Sequence, residues 1–84
     1  MTTNEEQLEE LYGPLARGEY TRGNRVRYHR NRDEVVTGEI IWICAPHPVL
    51  MRDGRTVNAP LSYIIVPDEG GMPDVQYQPD IIND

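Results

Sequence analysis

The spacing of apolar residues at the start of the chain is that of a helix. Four apolar side chains recur at intervals of three and four residues: Leu8, Leu11, Tyr12 and Leu15. One face of a helix has this spacing, so the pattern predicts a short helix over residues 3–12 that docks on the rest of the chain. Thr3 and Glu6 have the spacing of a capping box. Gly13 and Pro14 are expected to end the helix, since proline cannot continue it.

From residue 23 onward the apolar positions change to the period of β-strands. Val26 and Tyr28 alternate with polar residues, which predicts a strand with one buried face and one exposed face. The run from Val35 to Cys44 is the longest, and Gly38 within it predicts a bulge or a bend. Further short strands are expected at 49–51, 56–57, 61–66 and 75–78, with a hairpin turn at 53–54 and a final edge segment at 79–82. Five or six short strands without intervening helices favour a small antiparallel β-barrel.

The core and turn positions of these strands carry a family resemblance. They are Gly23, Val26, Tyr28, Gly38, Ile40, Ile43, Tyr63, Ile65, Gly71, Val75, Pro79 and Ile81. This pattern resembles small SH3-like barrels of the KOW and Tudor type, and is similar to short bacterial and phage-borne proteins that end in a proline–acid–Ile turn. The resemblance covers about residues 23–82 and implies an SH3-like barrel. We therefore expect a barrel domain over residues 17–84, preceded by a helix and linker over residues 1–16. The resemblance also implies a module that binds peptides, nucleic acids or proteins, without deciding which.

Charge is unevenly distributed along the chain. The 84 residues include eight arginines and no lysine, and the chain has a net charge of −6. Six of the arginines fall within residues 17–32: Arg17, Arg22, Arg25, Arg27, Arg30 and Arg32. The remainder of the chain is acidic, so we expect one electropositive surface on an acidic protein.

Five residues of this arginine-rich segment are the predicted binding residues: Arg25, Arg27, His29, Arg30 and Arg32. The first three share the exposed face of a strand, and the last two follow at its turn. Because a guanidinium donates two parallel hydrogen bonds, the predicted partner is an acidic protein surface or a nucleic-acid backbone. Tyr20 and Tyr28 are expected to stack on a base if that partner is a nucleic acid. The alternative is that the arginines pair with the chain's own carboxylates.

A second candidate surface surrounds the single tryptophan. Ile41, Trp42 and Ile43 belong to a run that is apolar on both faces of its strand. Such a strand is normally covered on both sides, either by the N-terminal helix or by a second subunit. The alternative function is therefore a structural subunit that forms a homodimer through these three residues.

Enzymatic chemistry has little support in the sequence. No nucleotide-binding, metalloprotease or serine-hydrolase motif is present, so we expect a protein without catalysis or cofactor. Cys44 and His47 form a conceivable nucleophile and base, but an inert buried cysteine is the preferred interpretation. His29 and His47 are a weak candidate pair for a metal, because nothing sets their spacing to a recognised site. Asp68, Glu69 and Asp74 lack the spacing of a calcium loop, so they predict a solvated turn.

The sequence also bears on the location of the protein. The longest apolar run, Ile40 to Ala45, is far shorter than the roughly 20 residues of a membrane-spanning helix. The first ten residues are polar and acidic, unlike a secretion signal. We therefore expect a cytoplasmic protein without a membrane partner.

Overall fold

The computed structural model describes the backbone of residues 3–82 and the side chains of residues 5–82. Its elements are helix α1 (Thr3–Tyr12) and strands β1 (Arg25–Asn31), β2 (Glu34–Cys44), β3 (His47–Leu50), β4 (Thr56–Ala59), β5 (Ser62–Pro67), β6 (Asp74–Tyr77) and β7 (Ile81–Ile82). A 3-10 turn, Gln78–Asp80, precedes β7. The predicted capping side chain of Thr3 lies outside the described side chains.

The strands form one curled sheet and one separate hairpin. The sheet has the order β6-β5-β2-β1-β7, and all of its neighbouring strands are antiparallel. Within the described backbone of residues 3–82, β3 and β4 pair only with each other. The predicted fold class is thus confirmed: a mainly β protein with a short N-terminal helix and a small barrel-like sheet of short antiparallel strands. The prediction of a turn at Asp53 and Gly54 is also confirmed, since Gly54 adopts a φ of +89° that favours glycine.

β2 is the central strand of the sheet, because it pairs with β1 on one side and with β5 on the other. Its first half pairs with β1, in a register that places Arg25 opposite Glu39. Its second half is flanked by the segment between α1 and β1, where the amide of Ala16 donates to the carbonyl of Ile43 at 3.0 Å. The amide of Gly23 donates to the carbonyl of Ile40 at 2.7 Å. The segment that follows the helix is therefore bonded to the barrel by its backbone.

A bulge in β2 divides the core between two faces of the sheet. The register with β5 shifts between Ile40 and Trp42. Because side chains alternate along a regular strand, this extra residue allows Ile43 to lie on the same side as Ile40, with Trp42 on the other. The prediction had placed the irregularity at Gly38. That glycine instead allows a close approach, since an added Cβ would overlap the Val66 carbonyl oxygen and lie 2.8 Å from Ile65 Cγ2.

The larger core cluster lies inside the curled sheet. Its buried members are Val26, Tyr28, Val36, Ile40, Ile43, Tyr63, Ile65 and Ile81. Tyr63 also joins the chain segments at one end of the barrel. Its hydroxyl accepts a 2.9 Å hydrogen bond from the Glu19 amide and donates a 2.7 Å bond to Gln78 Oε1. Gln78 Nε2 in turn donates to Glu19 Oε2 at 2.8 Å, which completes a ring of three residues.

The smaller core cluster lies between the sheet and the helix. Trp42, Cys44 and Ile64 are buried there, with Leu8 and Tyr12 of α1 packed against them. Leu11, predicted to pack with them, is 73 % exposed. α1 touches the barrel mainly along β2. Because only one side of the helix meets that strand, the i, i+4 pair of Leu8 and Tyr12 makes the contact and Leu11 faces away.

No helix within the described residues is long and apolar enough to cross a membrane.

Candidate binding surface on the first strand

The outward face of β1 carries three of the five predicted binding residues. Arg25, Arg27 and His29 are exposed, whereas Val26 and Tyr28 between them are buried in the core. The two-residue period of the sequence therefore predicts both faces of this strand correctly. We call these three exposed side chains the outer face of β1.

Arg25 is held at one end of this face by an acid from the loop after β5. Its Nη1 donates to Asp68 Oδ1 at 3.0 Å, and its Nη2 pairs with Asp68 Oδ2. The hydrogen bond to Asp68 and the charge of that carboxylate raise the pKa of Arg25. Both side chains are about half exposed, so solvent screens the pair.

Arg30 is engaged by three carboxylates of its own chain. Its Nη1 lies 3.2 Å from Glu34 Oε2 and 3.1 Å from Glu69 Oε2, and its Nε and Nη2 lie 3.0 Å from Asp74 Oδ2. Hydrogen bonds to Glu69 and Asp74 raise the pKa of Arg30. The side chain is only 25 % exposed. Its guanidinium is thus occupied in a contact that connects β1 with β6.

Arg27 and Arg32 are two further predicted binding residues. Arg27 lies at the centre of the outer face, opposite Thr37 of β2, and Arg32 is exposed in the turn between β1 and β2. A cleft of about 510 Å³ lies beside Arg25 and Arg27 and is also lined by Asn24 and Thr37. These two polar residues were not predicted as site residues, although Thr37 is opposite Arg27 in the register. Four of the predicted residues are therefore exposed on β1 and in the turn that follows it, whereas Arg30 is engaged by carboxylates.

The two tyrosines predicted for base stacking differ in accessibility: Tyr28 is buried, whereas Tyr20 is partly buried and lines the cleft beside Arg25 and Arg27. Tyr28 is completely buried, and its hydroxyl donates to Asp74 Oδ2 at 2.6 Å. Burial and the charge of Asp74 raise the pKa of Tyr28 to about 12. Tyr20 is partly buried and packs edge-on against Tyr63, with ring centroids 5.7 Å apart. The expectation of an exposed ring is wrong for Tyr28, because this ring fills the small core.

The predicted interface around Trp42 is largely covered within the chain. Trp42 is 1 % exposed and Ile43 is 3 % exposed, whereas Ile41 is partly buried. The indole Nε1 of Trp42 donates to the Gly13 carbonyl at 2.9 Å, and the Arg22 guanidinium lies 5.1 Å from the ring centroid. Helix α1 and Arg22 thus take the place that a second subunit would occupy on this face.

The remaining candidate groups do not form a reactive site among the described residues. Cys44 and His47 line one cleft of about 370 Å³, but burial raises the pKa of the Cys44 thiol, which disfavours the reactive thiolate. His47 Nδ1 lies 2.9 Å from the Ala45 carbonyl oxygen. No group of three His, Cys, Asp or Glu side chains suited to a metal ion occurs among the residues described. The predicted solvated turn instead uses its acids Asp68 and Glu69 as partners of arginines.

Comparisons with models of known protein families, with curated proteins and with solved structures find no match to this chain.

Proposed function

We propose that this protein is a small non-catalytic binding module that docks an acidic segment of a protein partner on the outer face of β1. The observation that carries the proposal is the common orientation of Arg25, Arg27 and His29 on one exposed strand face. Arg32 extends the surface beyond the end of that strand. Guanidinium groups at two-residue spacing suit an extended segment with alternating carboxylates, because both have a repeat of about 6–7 Å.

Exchange of carboxylates is the mechanism that we favour for Arg25. A partner carboxylate would replace Asp68, which shares the exposed guanidinium in the unbound protein. Because one solvent-screened ion pair replaces another, each arginine contributes only about 0–1 kcal/mol to the binding free energy. Affinity would therefore come from several such contacts together with the neighbouring cleft beside Asn24 and Thr37.

Arg30 has a different role in this proposal. Its three carboxylate partners come from β2, from the loop after β5 and from β6. A ligand that removed Arg30 from them would leave three neighbouring carboxylates without their shared cation. We therefore assign Arg30 to the structure of the barrel and exclude it from the binding surface.

An acidic protein segment is preferred to a nucleic-acid backbone because the positive surface is small. Glu39 faces Arg25 across the sheet, and Asp68, Glu69 and Asp74 surround the arginines. A phosphate backbone would extend past the outer face into this acidic border, and the net charge of −6 adds long-range repulsion. The burial of Tyr28 also removes one of the rings on which a base would stack.

The proposal is tested by titrating the protein with a short poly-glutamate peptide and with DNA and RNA oligonucleotides at low salt. We expect the backbone amide NMR signals of β1 and the facing half of β2 to shift with the peptide. The triple variant Arg25→Gln, Arg27→Gln, Arg32→Gln should bind the peptide about tenfold more weakly, since three contacts of about 0.5 kcal/mol each are lost. Higher salt should weaken the wild-type complex in the same direction.

The matched control is the triple variant Arg17→Gln, Arg52→Gln, Arg55→Gln, which removes the same three charges from other parts of the chain. We expect this control to retain wild-type affinity within about twofold. Equal weakening in both triple variants would show that net charge alone governs binding, and would contradict a site on β1. Tighter binding of the oligonucleotides than of the peptide would replace the protein partner with a nucleic acid.

A further inference from the structure

We infer that the cleft beside Arg25 and Arg27 binds a phosphate monoester, carried by the acidic partner segment as a phosphoserine or phosphothreonine side chain. The inference rests on the proposed function, because the same two arginines serve both. A phosphorylated segment would therefore bind more tightly than a segment with carboxylates alone.

The cleft combines two arginines with neutral hydrogen-bond donors. It has a volume of about 510 Å³, and its polar lining includes Asn24, Arg25, Arg27 and Thr37. Within the described part of the chain, no Asp or Glu lines this cleft. In a protein with a net charge of −6, a concave site with two guanidinium groups and no carboxylate in its lining favours an anion.

The side chain of Asn24 is oriented so that its amide nitrogen is left for a ligand. Its Oδ1 accepts a hydrogen bond from the backbone amide of Thr21 at 3.0 Å, which fixes the orientation of the side-chain amide. The two N–H groups on Nδ2 therefore remain as donors. The hydroxyl of Thr37, a residue opposite Arg27 in the register, is a further donor in the same lining.

The Tyr20 hydroxyl is a second and independent observation. It is buried and has no hydrogen-bond partner among the described residues. Tyr20 lines this cleft and also the neighbouring cleft beside Arg17. Because buried polar atoms nearly always have a partner, this hydroxyl marks a place where a ligand oxygen can supply the missing hydrogen bond.

A phosphate gains more than a carboxylate from replacing Asp68 at Arg25. Asp68 holds both Nη atoms of Arg25, and its own amide donates to the Thr37 carbonyl at 2.9 Å, which keeps this acid near the cleft. A partner carboxylate would replace one monoanion with another. A phosphate monoester instead has nearly two negative charges at neutral pH and three acceptor oxygens, so it can bind several donors at once. Glu39, opposite Arg25 in the register, repels either anion and limits the gain.

The first test compares three peptides of one acidic sequence that carry phosphoserine, glutamate or serine at the central position. In calorimetric titrations of the full chain, we expect the phosphoserine peptide to bind about tenfold more tightly than the glutamate peptide. Equal affinities of these two peptides would overturn the inference and leave the proposed function standing. Binding of none of the three would overturn both.

Inorganic phosphate distinguishes the source of the phosphate group. We expect it to bind at least about tenfold more weakly than the phosphoserine peptide, because the peptide also contacts the outer face of β1. Inorganic phosphate that bound as tightly as the peptide would overturn the assignment to a partner segment.

The second test changes one donor of the cleft. Asn24→Asp retains Oδ1 for the Thr21 amide and replaces the Nδ2 donors with a negatively charged oxygen. It should weaken the phosphoserine peptide about tenfold or more, and the glutamate peptide less. Asn58→Asp is the matched control, since it adds the same charge at an exposed position of β4, and it should leave the phosphoserine affinity within about twofold. Circular dichroism checks that both variants fold.

The third test removes the internal competitor for Arg25. Asp68→Asn should tighten the binding of the phosphoserine peptide about threefold, because the charge that holds Arg25 is lost. Asp53→Asn is the matched control, since it neutralises an acid paired with Arg55 in the hairpin turn. A phosphoserine affinity that is unchanged in Asn24→Asp, or that rises equally in both Asp variants, would overturn the inference.

Discussion

The hydroxyl of Tyr28 donates a 2.6 Å hydrogen bond to Oδ2 of Asp74 and thereby joins β1 to β6. These strands are separated in the sheet by β5 and β2. Arg30 Nε donates to the same carboxylate oxygen at 3.0 Å. The curled sheet is therefore closed between β1 and β6 by side chains and not by a continuous ladder of backbone hydrogen bonds.

The first prediction concerns this closure. Tyr28→Phe should lower the free energy of unfolding by about 1–2 kcal/mol, because a buried hydrogen bond to a carboxylate is lost while Arg30 still pairs with Asp74. The measurement is denaturant unfolding at neutral pH. Tyr12→Phe is the matched control, since it removes the same atom from a partly buried ring outside the closure. Equal effects of the two substitutions would contradict a special role for the Tyr28 hydroxyl.

The second prediction concerns pH. The pKa of Tyr28 rises from 10.0 to about 12 on folding, so the folded protein retains this proton more tightly than the unfolded chain. Below pH 10 the proton is bound in both states, and this stabilisation is fully present. Between pH 10 and about 12 unfolding releases the proton, so stability should fall by roughly 1.4 kcal/mol per pH unit.

Comparison with Tyr28→Phe isolates this effect from other titrations. The difference in unfolding free energy between wild type and variant should decrease as the pH rises through this range and reverse its sign before about pH 12, because the total loss exceeds the advantage of about 1–2 kcal/mol at neutral pH. A difference that stays constant up to pH 12 would show that Tyr28 does not titrate as the folded structure requires.

The third prediction concerns the contact of α1 with the barrel. Leu8→Ala should cost about 1–2 kcal/mol, because Leu8 is partly buried against the cluster that contains Trp42. Exposure of the indole should also shift the fluorescence of this single tryptophan to longer wavelength. Leu11→Ala is the control, since Leu11 is exposed on the same helix, and it should change neither quantity. A wild-type spectrum and melting temperature for Leu8→Ala would show that the helix does not stabilise the barrel.

The fourth prediction concerns the close approach at Gly38. Gly38→Ala should destabilise the protein by at least about 2 kcal/mol, because the added Cβ would overlap the Val66 carbonyl oxygen on the neighbouring strand. Backbone cannot move aside as a flexible side chain can. Val35→Ala on the same strand is the control, since Val35 is half exposed and should change stability by less than about 0.5 kcal/mol. A tolerated alanine at position 38 would show that β2 and β5 can separate locally at little cost.

Local patterns along the chain are sufficient to predict the secondary-structure elements and the faces of β1. The helix over residues 3–12, the strands and the hairpin turn follow from local rules: a period of three to four for the helix, a period of two for strands, and positive φ at glycine in turns. The outward direction of Arg25, Arg27 and His29 follows from the same alternation. Such features depend on residues near each other in the chain, so the periodicity of the sequence predicts them.

The partners of these faces depend on how distant segments of the chain pack together after folding. Asp68 and Asp74 lie more than forty residues from Arg25 and Arg30, so no local pattern pairs them. The bulge between Ile40 and Trp42 depends on the register with β5, and it decides which residues meet the helix. Side-chain pairing and register depend on the distance between strands after folding. Packing therefore decided that Arg30 closes the barrel while Arg25 and Arg27 remain at its surface.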